Sequence, residues 1–403
     1  MDWRERYHDL LERLPIYVRN ARPAICGLST FVDGYVRLHE AQALWETVDG
    51  TPEAALAREL FKRAGAGIGG EFHLDWPQGG EWVEKHLGVA SWGLGGSGAQ
   101  AAQTLAVLGV PALISLQDRG ERQLSVIHPD VRVATPGGVV RRAELQAVPG
   151  GKPAHYIFEF TAGVRVGSTP PLRSSRTIVR FGNEQLDDDP DFHRESVAAA
   201  AHSGAGVLSG FNELAEEELQ GALDQTVALV KNWRRRGLDL VHLELGDCVT
   251  PRARDVILET LAGVITSLGM SHAELRGFCA GPGDTLDQAC QLSKAFNLAR
   301  LCIHADTWAL TLTKGEPGRE LEALLCGCLL AASRAEKGRP CRPSGLPRQA
   351  EFHRPPYSPV AGHCGGSVVC CAVPYLQRPA ATIGLGDTFL AGALLVLGQP
   401  GTA

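Results

Sequence analysis

Residues 381–398 read "ATIGLGDTFLAGALLVLG": two glycines bracket Leu385, Asp387 follows at once, and the chain then runs apolar. Such a run predicts a buried helix over residues 387–397, with residues 384–387 at its N-terminus. The first N–H groups of a helix lack internal acceptors, and together with the helix dipole they form a site for phosphate oxygens. A carboxylate in that place has two readings. It caps the helix, or it takes a proton from a hydroxyl that attacks a phosphoryl group held beside it. On this stretch alone capping is the plainer reading.

Upstream, strand-like and helical segments alternate, which predicts an α/β sheet covered by helices. "RPAICGLSTFVDGYV" reads as a strand running into a loop, "GAQAAQTLAVLG" as a helix and "VPALISLQ" as a strand. Later, "EEELQGALDQTVALVKNWRRRG" reads as a helix and "LDLVHLELG" as a strand. "LDQACQLSKAFNLA", "RLCIHADTWALTLTKG", "ELEALLCGCLLAASRAEKG" and "GGSVVCCAVPYL" continue the alternation as helix, strand with turn, helix and strand. Two regions break the rhythm. Residues 130–185 hold short β-like pieces without a long helix and predict a small sheet added to the main domain. Residues 335–366, rich in Pro, Gly and Arg, predict an irregular, mobile loop.

At 403 residues with 21% charged and 44% apolar residues, the chain has ordinary globular composition and length for a large core. A net charge of −6 argues against nucleic acid or an anionic membrane as the main partner. No apolar run reaches the ~20 residues of a membrane helix. The opening residues are charged from the start and lack an apolar signal core, so no secretion signal is expected. The 11 cysteines form no CxxC, and scattered buried thiols in a reducing cytoplasm are expected rather than disulfides or a zinc site.

Three further stretches carry chemistry. In "WGLGGSGAQAAQTLAVLGVP", Gly95 and Gly96 stand ahead of a helix, where a backbone can approach a hydroxyl or an anion; a tight turn is the competing reading. In "LDLVHLELGD", His242 and Glu244 are two apart and face the same side of a strand, near where α/β sheets bind ligands. Glu244 suits Mg²⁺ held through water, whereas His242 also reads as a hydrogen-bonded core histidine. Asp33, in "STFVDGYV", follows the first strand and suits two sugar hydroxyls; a turn-forming Asp-Gly competes.

Together these stretches resemble the ribokinase-like sugar kinases, and within them the ADP-dependent glucokinase/phosphofructokinase family. "GGSGAQAAQTLAVLGVP" is similar to the family's sugar-side Gly-Gly motif and "TIGLGDTFLAGAL" to its C-terminal GxGD motif. "VHLE" matches its HxE motif, and "AHYIFEF", "VLSGFNEL" and "RLCIHADTWALTL" are similar to its connecting segments. The ordered set runs from about residue 25 to residue 398. The resemblance implies a three-layer α/β/α core domain, over residues 1–30, 90–117 and 186–403, and a smaller β-rich lid over residues 31–89 and 118–185.

It also implies a sugar kinase that moves a phosphoryl group from ADP to glucose or fructose 6-phosphate with Mg²⁺. Asp387 is then the catalytic base, and Gly384, Leu385 and Gly386, with His304 of "RLCIHADTW", border the anion hole. Asp33, Glu71, Gly95 and Gly96 resemble sugar-contacting positions. Arg122 and Gln123, in "DRGERQL", resemble an Arg-Gln pair on the sugar side, the arginine suited to a sugar phosphate. Glu244 is the metal-associated carboxylate. The family's Asn-x-x-Glu-type motif has no asparagine in "FCAGPGDTLDQA", where Asp284 and Asp287 keep acids at similar spacing. An ATP-dependent kinase on the same scaffold and a catalytically impaired sugar-binding regulator are the alternatives. Monomer and homodimer are both open.

Overall fold

A computed structural model describes residues 2–400 apart from 168–169, 183–184, 249, 279–282 and 359, and leaves out the side chains of 213 and 360–363. In chain order the first strands are β1 (Ala24–Cys26), β2 (Phe31–Arg37), β3 (Gly70–His73), β4 (Ser91–Gly95), β5 (Ala112–Ile114) and β6 (Arg132–Thr135). Next come β7 (Gly138–Arg141), β8 (His155–Phe160), β9 (Ser175–Arg180), β10 (Ala205–Leu208) and β11 (Val241–Glu244). The last are β12 (Ser267–Ser271), β13 (Arg300–His304), β14 (Trp308–Thr313), β15 (Val360–His363) and β16 (Gly366–Ala372).

They form two sheets. The large one has the order β15-β16-β14-β13-β12-β11-β10-β1-β5-β6-β7, and the small one the order β3-β9-β8-β2-β4. From β6 to β13 the large sheet is parallel, so its strands are buried on both faces and read as apolar runs. Alternation along β13 sends Leu301 and Ile303 to one core and Cys302 to the other. Helices Ser97–Leu108, Pro317–Lys337 and Leu385–Leu397 cover one side. Helices Glu216–Arg235, Pro251–Leu261 and Thr285–Ala295 cover the other, giving three layers. Helix Leu385–Leu397 is apolar on every side and accordingly buried from Thr388 to Val396.

The small sheet, for which the role of a lid is expected, has its own core around Leu56, Leu60, Phe158 and Phe160. The chain crosses between the two bodies four times: from β1 to β2, from β4 to helix Ser97–Leu108, from β7 to β8, and from β9 to helix Pro190–Ala199. Two sequence-based boundaries shift. The segment after β1 is not a loop but strand β2, so Asp33 lies inside a strand rather than in an Asp-Gly turn. β6 and β7, expected in the added sheet, extend the large one, whereas β4, expected in the large domain, is a lid strand. β4 reads poorly from sequence because two of its five residues are glycines.

Helix Thr285–Ala295 carries the other correction. Cys290 is joined to Cys364 in a disulfide, because the turn between β15 and β16 lies against that helix. The expectation of unpaired thiols throughout is therefore wrong at this pair. Cys26, Cys248, Cys302, Cys326, Cys328, Cys341, Cys370 and Cys371 are free. Among the described residues no helix is long and apolar enough to cross a membrane.

Candidate active site

The site lies between the C-terminal ends of β11, β12 and β13, the start of helix Leu385–Leu397, and the inner face of the lid. Gly384 is the N-cap of that helix, in the left-handed region at φ 69°, and Asp387 sits in the first turn. The N-cap position thus belongs to Gly384, three residues ahead of Asp387. The Asp387 carboxyl is enclosed, which raises its pKa against the pull of Arg334 and a hydrogen bond with Ser97. His304, at the end of β13, borders the same turn: a Cβ built on Gly386 comes 3.1 Å from its ring.

Beside it stands a chain of imidazoles and carboxyls. His242 Nδ1 lies 2.7 Å from Ser267 Oγ, and its Nε2 lies 2.8 Å from Glu244 Oε2. The other Glu244 oxygen lies 3.2 Å from His304 Nε2. Burial alone raises the Glu244 pKa, but the two imidazoles hold it down at about 2. Burial disfavours charge on His304, yet bonding to Glu244 and the charges of Glu274 and Asp387 raise its pKa. His242 goes the other way, lowered by burial despite Glu244.

Glu274 escaped sequence reasoning. It follows β12 in the short helix His272–Gly277, where Ser271 and Glu274 form a reciprocal capping box. Its Oε2 accepts from Ser271 N–H at 2.6 Å, and enclosure near Glu244 lifts its pKa to about 7 despite His304. The signal was legible as "SHAE", a Ser-x-x-Glu element closing the strand "SLGMS". This element stands ahead of residues 278–289, the stretch in which the family's Asn-x-x-Glu-type motif is expected. Asp284 instead caps helix Thr285–Ala295, accepting from Leu286 N–H at 2.8 Å and from Tyr357 O–H at 3.0 Å. Asp287 is an exposed first-turn residue of that helix. Residues 279–282 of the same stretch lie outside the described residues.

No group of three or more ligating side chains converges on one point among the described residues. Glu244 and Glu274 nevertheless fit a hard dication held largely through water and phosphate oxygens, as Mg²⁺ prefers. Burial is the first cause of the raised Glu274 carboxyl, and the charge of Glu244 adds to it. The raised pKa also gives a stability prediction. A carboxyl whose folded pKa of about 7 exceeds its ordinary 4.5 binds protons more tightly in the native state. Stability is then full in acid and declines as pH climbs between those values. Glu274→Gln cannot ionise, so without metal it is expected to match the parent's Tm near the acid end and exceed it by a few degrees above neutrality. Thermal melts across that range check this, and a constant gap would contradict it.

On the lid, Asp33 and Tyr35 alternate with Val32, Gly34 and Val36 along β2. Asp33 is 3% exposed, and burial raises its pKa to about 7, tempered by His155 at 3.9 Å and added to by Asp387 and Glu71. Gly95 lies opposite Phe31 in the neighbouring strand, and a Cβ there would collide with the Asp33 carboxyl. Gly96, at φ 90°, then starts the helix that carries Ser97. Glu71 lies on β3, 3.5 Å from Asn212 Nδ2 across the cleft. Further lid contacts join Glu159 to Thr382, at 3.3 Å, and Arg173 to Asp306, at 3.7 Å.

The Arg-Gln pair divides. Gln123 is fully buried, donating from Nε2 to Phe31 O at 3.2 Å beside the Asp33 strand. Arg122 instead forks onto Glu84 at 2.8 and 3.1 Å and stacks on Trp92, 4.0 Å from the ring centroid. Trp92 lies against Gly34, on the lid face opposite Asp33, so Arg122 points away from the cleft. The arginine expected to suit a sugar phosphate is thus engaged with Glu84 and Trp92 in this structure.

A helix start that carries an enclosed acid and faces a second sheet presenting carboxyls is an arrangement suited to phosphoryl transfer. The chain belongs to the ADP-specific phosphofructokinase/glucokinase family, whose conserved region it matches over residues 53–396. It is 24% identical over 391 residues to the ADP-specific phosphofructokinase of Methanosarcina acetivorans, covering 79% of this chain and 78% of that one. It is also 24% identical over 280 residues to the ADP-dependent glucose/glucosamine kinase of Pyrococcus furiosus, covering 64% of this chain and 60% of the relative. Among solved structures, an ADP-dependent kinase in complex with fructose-6-phosphate and ADPβS superposes with a TM-score of 0.79 at 17% identity, covering 99% of both chains.

Proposed function

We propose that this chain transfers the terminal phosphoryl group of ADP to a hydroxyl of glucose or of fructose 6-phosphate, with Asp387 as general base. The observation that carries the reading is that Asp387 stands in the first turn of a helix whose N-cap is Gly384, while Asp33, 3% exposed, lies against Gly95 on the neighbouring sheet. Asp33 and Glu71 suit the hydroxyls of a sugar, and Gly95 lets Asp33 lie close to the backbone. The N–H groups after Gly384 suit the transferring phosphoryl oxygens. Asp387 takes the acceptor proton as the new O–P bond forms and the bond to the departing AMP oxygen breaks. Mg²⁺, held near Glu244 and Glu274, supplies charge neutralisation to the phosphates when bound. His304 borders the turn and keeps Glu244 oriented. Contacts such as Thr382 with Glu159 favour chemistry in a closed, water-poor cleft.

The departures that favoured a regulator without turnover weaken once Glu274 is counted, because an acid stands at the metal side after all. A coupled assay crossing glucose and fructose 6-phosphate with ADP and ATP in Mg²⁺ tests the reading. Turnover with ADP is expected, and activity with ATP alone overturns the donor. The same matrix decides the acceptor, for which the lid offers both carboxyls and, on β9, the cations Arg176 and Arg180.

A further inference from the structure

A buried guanidinium lies directly behind the turn that opens the C-terminal helix. Arg334 comes from the last turn of helix Pro317–Lys337 and is 5% exposed. Its Nη1 donates to Thr388 Oγ1 at 3.1 Å, and that hydroxyl lies 3.4 Å from Thr104 Oγ1. Its Nε is buried without a hydrogen-bond partner. A Cβ built on Gly384 would fall on the guanidinium itself, so turn and cation are in contact. Gly384 is thus required twice, by its positive φ and by the arginine behind it.

The surroundings of Asp387 give this cation a task. Asp33 and Tyr35 reach the region from β2, Glu244 from β11, His304 from β13 and Ser97 from the helix after β4. Two carboxyls, Asp33 and Asp387, repel one another across the place where the acceptor hydroxyl must lie. Arg334 is attracted to both.

We propose that Arg334 is a positioning residue for phosphoryl transfer: from behind the turn it fixes the backbone at residues 384–388 and holds the Asp387 carboxylate toward the acceptor against the repulsion of Asp33. This rests on the reading of Asp387 as base. A misplacement of a catalytic group by about 1 Å costs on the order of 10²-fold in rate, which sets the scale.

The test compares Arg334→Met, Arg334→Lys and Thr388→Val with the parent for kcat, both KM values, Tm and the pH profile of kcat. Arg334→Met keeps the bulk and loses the charge; its kcat is expected to fall about 10²-fold with KM changed by less than about threefold. The acid limb of its profile should move to higher pH, because removing a cation makes Asp387 harder to ionise. Arg334→Lys should recover about a tenth or more of the parent rate. Thr388→Val, which only frees Nη1, should lose about fivefold.

A folded Arg334→Met with parent kcat and an unmoved limb overturns the proposal, as do equal losses in the Met and Lys variants. Should Arg334→Met not fold, parent kcat in Thr388→Val overturns it. Asp387→Asn keeps the two readings apart. If that variant turns over normally the base assignment falls and this inference with it; if it is inactive while Arg334→Met is normal, only the positioning role falls.

Discussion

Asp387→Asn is expected to fold and to bind both substrates while its kcat drops by about 10²–10⁴-fold, the range for a lost general base. The binding half of this expectation comes from electrostatics. The Asp387 carboxyl is enclosed and its pKa is raised, so the folded chain gains nothing from its charge at rest. A neutral amide of the same shape therefore costs little stability and keeps the helix start intact. What it lacks is a lone pair able to hold the acceptor proton. Steady-state kinetics with calorimetric binding of nucleotide and sugar separates the two effects. Near-parent turnover would remove Asp387 from the chemistry.

Glu244→Ala should fail in a different way. Both oxygens of this carboxylate serve imidazoles, buried His242 at 2.8 Å and half-buried His304 at 3.2 Å. Removing one partner of a buried pair strands the other, at a cost of about 3 kcal/mol or more. The loss should appear as a lower denaturant midpoint with an unchanged slope. The sign of its pH dependence follows from the neighbours. With its pKa held at about 2, Glu244 contributes stability throughout the neutral range and loses it only as pH falls toward that value. His304, its pKa raised, contributes below the ordinary imidazole value and loses that contribution as pH rises through its folded value. The deficit of the variant is therefore expected to be larger at pH 6 than at pH 9. Equal midpoints for variant and parent would mean that the two imidazoles find water or another acceptor.

Much of this arrangement was legible in the residues themselves. The C-terminal helix, the glycines ahead of residue 97 and the HxE strand are local features, and each is decided by a few adjacent residues. What escaped was decided at long range. Arg122 reads as an arginine near the sugar side, but its partner Glu84 is 38 positions away and lies on the outer lid face. Arg334 reads as an ordinary charge near the end of a helix, and its burial against Gly384 and Thr388 is decided 50 or more positions away. Glu274 was hidden differently: its Ser-x-x-Glu spacing is local and reads as a capping box alone, and its nearness to Glu244 and His304 appears only once β12 lies beside β11 and β13. Asp284 drew attention in its stead because an acid ahead of a helix looks the same whether it caps or ligates.

The crossings between body and lid carry a mechanical consequence. Asp33 lies two residues into β2, just past one crossing, and Gly95 and Gly96 form another. Asp33, Gly95 and Gly96 therefore stand where continuous chain joins the two sheets, and only Ser97 separates Gly96 from the buried stretch of helix Ser97–Leu108. The separation between Asp33 and that helix start is set by a few consecutive residues and one strand pair, whereas Glu71 and Arg173 meet Asn212 and Asp306 through side chains alone.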